Sequence, residues 1–168
     1  VSAGAKAELQ GDPLDVVIDV EAGDWPPPVE LEVLARRAVA ASLGEMGIAP
    51  DGQPELGLTF TDDAHIAELN AEWRGKGGPT NVLSFPLAAL RPGEQLPSML
   101  GDIVIAFETV SREAQEQRKP FIDHLTHLVV HGLLHLLGYD HMDDNEAETM
   151  ETLERRILEH LAIPDPYA

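Results

Sequence analysis

At 168 residues, with 43% of them apolar, the chain has the length of one ordinary domain and enough apolar surface for one substantial core. It contains no cysteine, which excludes disulfides and thiolate metal sites and agrees with a reducing, cytoplasmic setting. Thirty acidic against eleven basic residues give a formal charge of −19, which opposes a general nucleic-acid binder. Screening confines that repulsion to about 8 Å at physiological salt and leaves room for a local basic cleft.

Residues 1–13 are small and polar without a period and read as a disordered or artificially added lead, so the single domain is expected over 14–168. No run approaches the roughly 18 apolar residues of a membrane span, and the first residues lack the apolar stretch of a signal peptide. A soluble, unexported, cytoplasmic protein with no membrane partner is expected. LDVVIDVE (14–21) is rich in Val and Ile and predicts a strand; the prolines of AGDWPPP then suit a turn into a helix over about 29–46. In that helix Leu31, Leu34, Ala38, Ala41 and Met46 are expected to face inward, and Glu30, Glu32, Arg36 and Arg37 to face water. ELGLTFT (55–61) predicts a second strand. TDDAHIAELNAEWR opens with capping residues and predicts a helix with Ile66, Leu69 and Trp73 on its buried face.

RGKGGPT (74–80) is too rich in glycine to continue that helix, NVLSF reads as a short strand, and LAALRPGEQLPSML reads as a loop. GDIVIAF (101–107) has the unbroken apolar run of a strand covered on both faces. A helix is expected to follow through about Arg118, and Pro120 to open the next at a first-turn position. That next helix carries FIDHLTHLVVHGLLHLLG. Asp143 and Asp144 then cap a last helix whose core stripe is expected at Met150, Leu153, Ile157 and Leu161. Strands early and helices late predict an α+β domain, with one small mixed sheet packed with about five helices and the chemistry on a C-terminal helix and the turn after it.

The chemistry lies in HGLLHLLGYDH (131–141). His131 and His135, four apart on a helix, project from one face and can chelate one ion. Gly138 can take the left-handed conformation that ends the helix, and Tyr139 and Asp140 bring His141 back toward the pair. Three histidines leave a fourth position open, as in catalytic zinc sites, whereas structural sites are normally closed by four protein ligands. Zinc, one ion per chain, is the first choice, although imidazole also suits nickel, copper or iron. His124 and His127 extend the same face and are expected in supporting or packing roles, while His65 and His160 are expected at the surface.

The spacing is that of a zinc peptidase, yet Gly132 stands where the peptidase carries its catalytic Glu. That carboxylate would take a proton from water and pass it to the leaving amine, and glycine can do neither. A downstream Met-turn is also hard to place, since Met142 adjoins the motif and Met150 falls in a predicted helix. Peptide hydrolysis is therefore disfavoured. A phosphodiester asks instead for a metal and a cation to neutralise developing charge. Arg74, beside Gly75, Lys76, Gly77 and Gly78, is the candidate cation, although composition alone favours an ordinary glycine turn with solvated charges.

HGLLHLLGYDH, together with LNAEWRGKGGPTNVLSFP (69–86) and GDIVIA (101–106), resembles the YbeY family of bacterial metal-dependent endoribonucleases, also called rRNA maturation factors. The resemblance runs from about Leu14 to Ile163. It implies a zinc-bound, zincin-like fold and a single-strand-specific endoribonuclease acting in 16S rRNA 3′-end maturation and ribosome quality control. The implied partners are single-stranded rRNA, the small ribosomal subunit or 70S ribosome, and ribosome-associated proteins. The family's metal ligands fall on His131, His135 and His141, and its functionally important arginine on Arg74, so these four form the implied catalytic set. Asn81 departs from the pattern, standing where many members are expected to carry Asp. A carboxylate's role there is in doubt, whereas a cap or turn role survives the change. The competing readings are a metzincin-type peptidase and a ribosome-associated factor whose metal only stabilises the fold.

Overall fold

The structure, a computed structural model, describes residues 12–168. Residues 1–11 of the expected lead lie outside the described residues. Asp12 itself is tied down: its carboxylate sits 3.4 Å from Arg36 Nη1, and its carbonyl accepts Gln53 Nε2 at 3.1 Å.

Among the described residues there are four strands and five helices, in the order β1 (Asp15–Val20), α1 (Pro28–Met46), β2 (Glu55–Thr61), α2 (Asp63–Arg74), β3 (Val82–Pro86), β4 (Met99–Ala106), α3 (Phe107–Glu116), α4 (Phe121–Leu136) and α5 (Asp144–His160). The strands form one mixed sheet in the order β1-β2-β4-β3, with β1, β2 and β4 parallel and β3 antiparallel at the edge. This is the expected α+β domain with one small mixed sheet. Among the described residues no helix is long and apolar enough to cross a membrane.

Alternation of side chains across each strand builds two unequal cores. Leu56, Leu58 and Phe60 of β2 and Ile103 and Ile105 of β4 point into the larger one, beneath α1, α4 and α5. Val104 and Ala106 of β4 point the other way and meet Leu83 and Ile66 under α2. The uninterrupted GDIVIA run therefore does serve a strand covered on both faces.

The helices start and stop for local reasons. Pro28 takes the first position of α1, where its missing N–H costs nothing. The side chain of Asp62 caps α2 by accepting the His65 N–H at 2.9 Å, and Asp143 caps α5 by accepting that of Glu146 at 2.8 Å. The buried face of α1 is the expected one: Leu31, Leu34, Ala35, Ala38 and Val39 are buried, and Ala41 and Met46 are partly buried against the same core. Three details differ from expectation. Helix α3 ends at Glu116, two residues early, and Pro120 stands just before α4 rather than in its first turn. Trp73 is 66% exposed. Ile66 and Asn70, with the partly buried Leu69, fill the contact of α2 with the sheet, and the sheet ends at β3, where Phe85 meets Trp73 edge-on at 6.4 Å.

Candidate metal centre

Helix α4 holds the first two histidines because its opposite side is mainly apolar. Leu125, Leu128, Val129, Leu133, Leu134 and Leu136 lock it onto the sheet and α1. His131 and His135, one turn apart, face a cleft of ≈ 630 Å³. The chain leaves α4 at Gly138, whose φ of 101° lies in the region that favours glycine. A Cβ there would meet the Leu90 carbonyl oxygen at 2.4 Å, so the turn also depends on close approach of the 87–98 loop. The turn is closed by the Tyr139 N–H donating to the Leu134 carbonyl at 3.0 Å. His141 then lies with its ring centroid 5.0 Å from that of His135 and 5.8 Å from that of His131. The three expected residues thus come together, with one nitrogen from each ring within 4.8 Å of the others.

The hydrogen bonds around the rings fix which nitrogens face the centre. His131 Nδ1 lies 2.5 Å from Glu154 Oε1, and His135 Nδ1 lies 3.1 Å from the Tyr139 carbonyl oxygen. Both partners only accept, so both Nδ1 atoms carry the hydrogen. In the neutral rings the two Nε2 lone pairs then face each other, 3.1 Å apart. Two acceptors at that distance repel unless a cation stands between them, so the donor set fits a bound metal ion. A carboxylate or carbonyl behind each imidazole is also what orients histidine ligands in metal sites.

Glu154 was not foreseen. It is fully buried on α5, one helical turn beyond Met150 and flanked by Ile157 and Leu158. Burial alone opposes its charge, but the hydrogen bonds from His127 and His131 outweigh that and hold the carboxyl down to about 2. His127 Nε2 is 3.4 Å from its Oε2, and the Tyr167 hydroxyl donates to the same oxygen. Burial, and then the bond to Glu154, push the Tyr167 hydroxyl pKa up, so the tyrosine stays a donor. The spacing of Met150, Glu154 and Ile157 placed a carboxylate inside an apolar stripe, and that was the signal available. Of the expected stripe, Met150 and Ile157 are fully buried, and Leu153 and Leu161 are partly buried against the same core.

Burial, and then the like charges of His131 and His141, pull the His135 pKa down to about 4. An unfolded histidine protonates near 6.5, so between those values acid favours the unfolded chain. The metal-free protein should keep full stability above about pH 7 and lose on the order of 2 kcal/mol by about pH 5. Buried His124, whose pKa is also lowered by burial, adds to the loss. Exposed His65, raised by Asp62, works weakly against it, and Glu154 does not enter until below its ordinary value. Urea unfolding in chelator at the two pH values measures the difference, and equal midpoints would contradict it.

Arg74, the last residue of α2, shares the cleft with all three histidines. Its Nη2 donates to the Ser84 carbonyl at 3.0 Å, while Ser84 Oγ donates to the Gly132 carbonyl at 3.1 Å. Strand β3 thereby links the arginine to the helix that carries the histidines. The cleft wall holds two cations, Arg74 and Lys76, against one carboxylate, Asp140. An acidic chain therefore keeps a locally basic cleft.

Gly132 is buried against β4, where an added Cβ would lie 2.9 Å from Ile103 Cγ2 and 3.2 Å from its Cδ1. A glutamate at this position has no room beside the cleft. Gly132→Glu is expected to destabilise the protein by more than about 3 kcal/mol, from overpacking and an unpaired buried charge, and to confer no peptidase activity. Denaturant unfolding with a casein assay checks both. Met142 is 81% exposed and Met150 is buried within α5, so neither forms a turn beneath the histidines.

Asn81 keeps the turn role. Its Oδ1 accepts the Val82 N–H at 2.7 Å, and its Nδ2 donates to the Glu113 carboxylate at 3.0 and 3.3 Å. An aspartate could make the first bond but not the second. Glu113 also meets His124 Nε2 at 2.9 Å, which gives His124 a packing role behind the site. His160 pairs with Glu45 and His65 with Asp62 at the surface, as expected.

The family profile described as Endoribonuclease YbeY matches residues 21–162. The chain belongs to the YbeY family. Similar YbeY relatives named Endoribonuclease YbeY are those of Sinorhizobium fredii, 54% identical over 159 residues covering 92% of each chain, and of Rhizobium etli, 55% identical over 159 residues covering 92% of this chain and 93% of that one. A solution structure of a Thermotoga maritima protein superposes with a TM-score of 0.54 at 25% identity, covering 87% of this chain and 92% of that one. The three-histidine cluster thus sits in a YbeY chain matched over nearly its full described length.

Proposed function

We propose that this protein is a zinc-dependent, single-strand-specific endoribonuclease, in which His131, His135 and His141 hold the metal and Arg74 acts on the scissile phosphate. Membership of the YbeY family supports a nuclease acting on RNA. The observation that carries the metal-dependent reading is the pair of Nε2 atoms 3.1 Å apart, each ring anchored at its other nitrogen, in a cleft shared with Arg74 and Lys76.

When bound, a divalent ion supplies Lewis acidity, polarising a phosphoryl oxygen and making water more acidic. The protein's own residues do the rest. Glu154 and the Tyr139 carbonyl hold the two imidazoles at fixed orientation. One guanidinium nitrogen of Arg74 is anchored on Ser84, which leaves the remaining N–H groups of its planar fork for two phosphate oxygens. Lys76, on the same wall, suits an adjoining phosphate.

The cellular setting proposed is 16S rRNA 3′-end maturation and ribosome quality control in the cytoplasm, on the small subunit or the 70S ribosome, with ribosome-associated proteins as partners. The charge of −19 supports it, since a chain that repels free RNA gains from a ribosome or protein that brings the strand to its cleft.

The test is cleavage of end-labelled single-stranded and duplex RNA by the zinc-loaded protein, with and without chelator. Chelator-sensitive cutting of the single strand is the expected result. Cutting that survives complete metal removal would sink the metal-dependent reading, and accumulation of 3′-extended 16S precursor on depletion is the cellular counterpart.

A further inference from the structure

Glu154 backs His131 from α5, and the groups that hold Glu154 lie outside the 131–141 histidine motif. Its carboxylate is fully buried, so no solvent stands in for a lost partner. Oε1 takes the His131 ring hydrogen, and Oε2 takes the Tyr167 hydroxyl. The other neighbour of Oε2, His127 Nε2, is at 3.4 Å, a weaker contact.

Tyr167 is itself held in place from three sides. Lys119 Nζ donates to the Pro166 carbonyl at 2.9 Å. Asp165 Oδ1 accepts the Tyr167 N–H at 2.8 Å, and Asp165 Oδ2 is 3.2 Å from Arg155 Nε. The Arg155 guanidinium carbon lies 5.4 Å from the centre of the Tyr167 ring. Arg155 follows Glu154 directly on α5, so one helix turn carries both the carboxylate and the residue that seats the tyrosine.

We infer that Tyr167 is a positioning residue of the metal centre, and that the segment 165–168 acts through the chain Tyr167–Glu154–His131 to set the affinity of the site for its ion. This rests on the metal reading above. With Oε2 pinned, the carboxylate cannot rotate, and Oε1 stays in line with the His131 Nδ1–H, which keeps Nε2 aimed at His135. A carboxylate freed at Oε2 swings toward His127 and lets the His131 ring tilt, so the ligand set is no longer preorganised. Partners of this kind behind histidine ligands are worth roughly ten- to a hundredfold in metal affinity.

The experiment measures zinc affinity by competition with a chromophoric chelator, and the visible spectrum of the cobalt(II)-loaded protein, in the wild type, Tyr167→Phe, Glu154→Gln, Arg155→Ala and, as a surface control, His160→Ala. Tyr167→Phe keeps the ring over Arg155 and removes only the hydroxyl. Expected are zinc binding about tenfold weaker in Tyr167→Phe, about tenfold or more in Glu154→Gln, a smaller loss in Arg155→Ala, and no change in His160→Ala. The cobalt(II) bands should shift in the first two, a signature that loss of fold stability alone does not produce. If Tyr167→Phe and Arg155→Ala both match the wild type in affinity and spectrum while Glu154→Gln is weakened, the tyrosine has no part in the site and the inference is overturned. A wild type that takes up no zinc is a different result, which removes the metal reading and this inference with it.

Discussion

Replacing His135 by alanine is expected to cost on the order of 10²–10³ in zinc affinity and at least as much in RNA cleavage, with the fold intact. Structural zinc sites bind with about 10–16 kcal/mol spread over four ligands, so one ligand accounts for about 2.5–4 kcal/mol. His135 is the ligand with least freedom to be replaced by a neighbour. Its Nε2 is 3.1 Å from that of His131, and its Nδ1 is committed to the Tyr139 carbonyl, the residue on which the turn to His141 depends. The fold should tolerate the change, because alanine suits a helix end and the lost bond is a partly exposed one worth about 1 kcal/mol. A second consequence separates this from general damage. His135 is the ring whose pKa is pulled down to about 4, so the metal-free variant should be less sensitive to acid than the metal-free wild type. Zinc titration, RNA cleavage and urea unfolding at two pH values test the three statements together. A folded variant that binds zinc and cuts RNA like the wild type would remove His135 from the site.

The parts of this molecule that were readable from sequence are those where a local pattern has a local consequence. The runs at 15–20, 55–61 and 101–106, bounded by turn residues and rich in Val, Ile, Leu, Thr or Phe, are strands, and Asp62, Asp143 and Gly138 mark helix ends because their side chains or backbone satisfy groups within a few residues. The three histidines were readable for the same reason, since two lie on one helix and the third follows a turn of fixed type. Glu154 and Tyr167 were not, because their roles exist only where α5 and the segment after it dock behind α4. A glutamate in a helix that also carries Glu146, Glu148, Glu151 and Glu159 is invisible until packing chooses the one that turns inward. Trp73 failed in the opposite sense. Its period placed it on the face of Ile66, but a period reports a face and not whether anything stands opposite, and β3 is the last strand. Gly132 was read as a missing base, and the structure adds the positive reason that Ile103 occupies the space a side chain would need.

Arg74→Ala is expected to lower kcat for RNA cleavage by about 10²–10³ while leaving zinc affinity unchanged. The magnitude is that of losing one donor aimed at charge which develops only in the transition state. The geometry favours such a role over simple attraction. The guanidinium is fixed to the Ser84 carbonyl at 3.0 Å, and Ser84 is fixed to the Gly132 carbonyl at 3.1 Å, so the arginine is held against the helix of His131 and His135 rather than waving in solvent. Exposure of the side chain means that its loss should change stability by less than about 1 kcal/mol. Arg74→Lys is the informative partner. It keeps the charge but lacks the fork, so it cannot bond Ser84 and two phosphate oxygens at once, and it should recover only part of the rate. If lysine restores full activity, the site needs a charge and not a fixed donor. If alanine raises KM and leaves kcat alone, Arg74 binds RNA equally before and during the reaction, and the phosphate-stabilising role passes to another group on the cleft wall, with Lys76 the nearest in sequence.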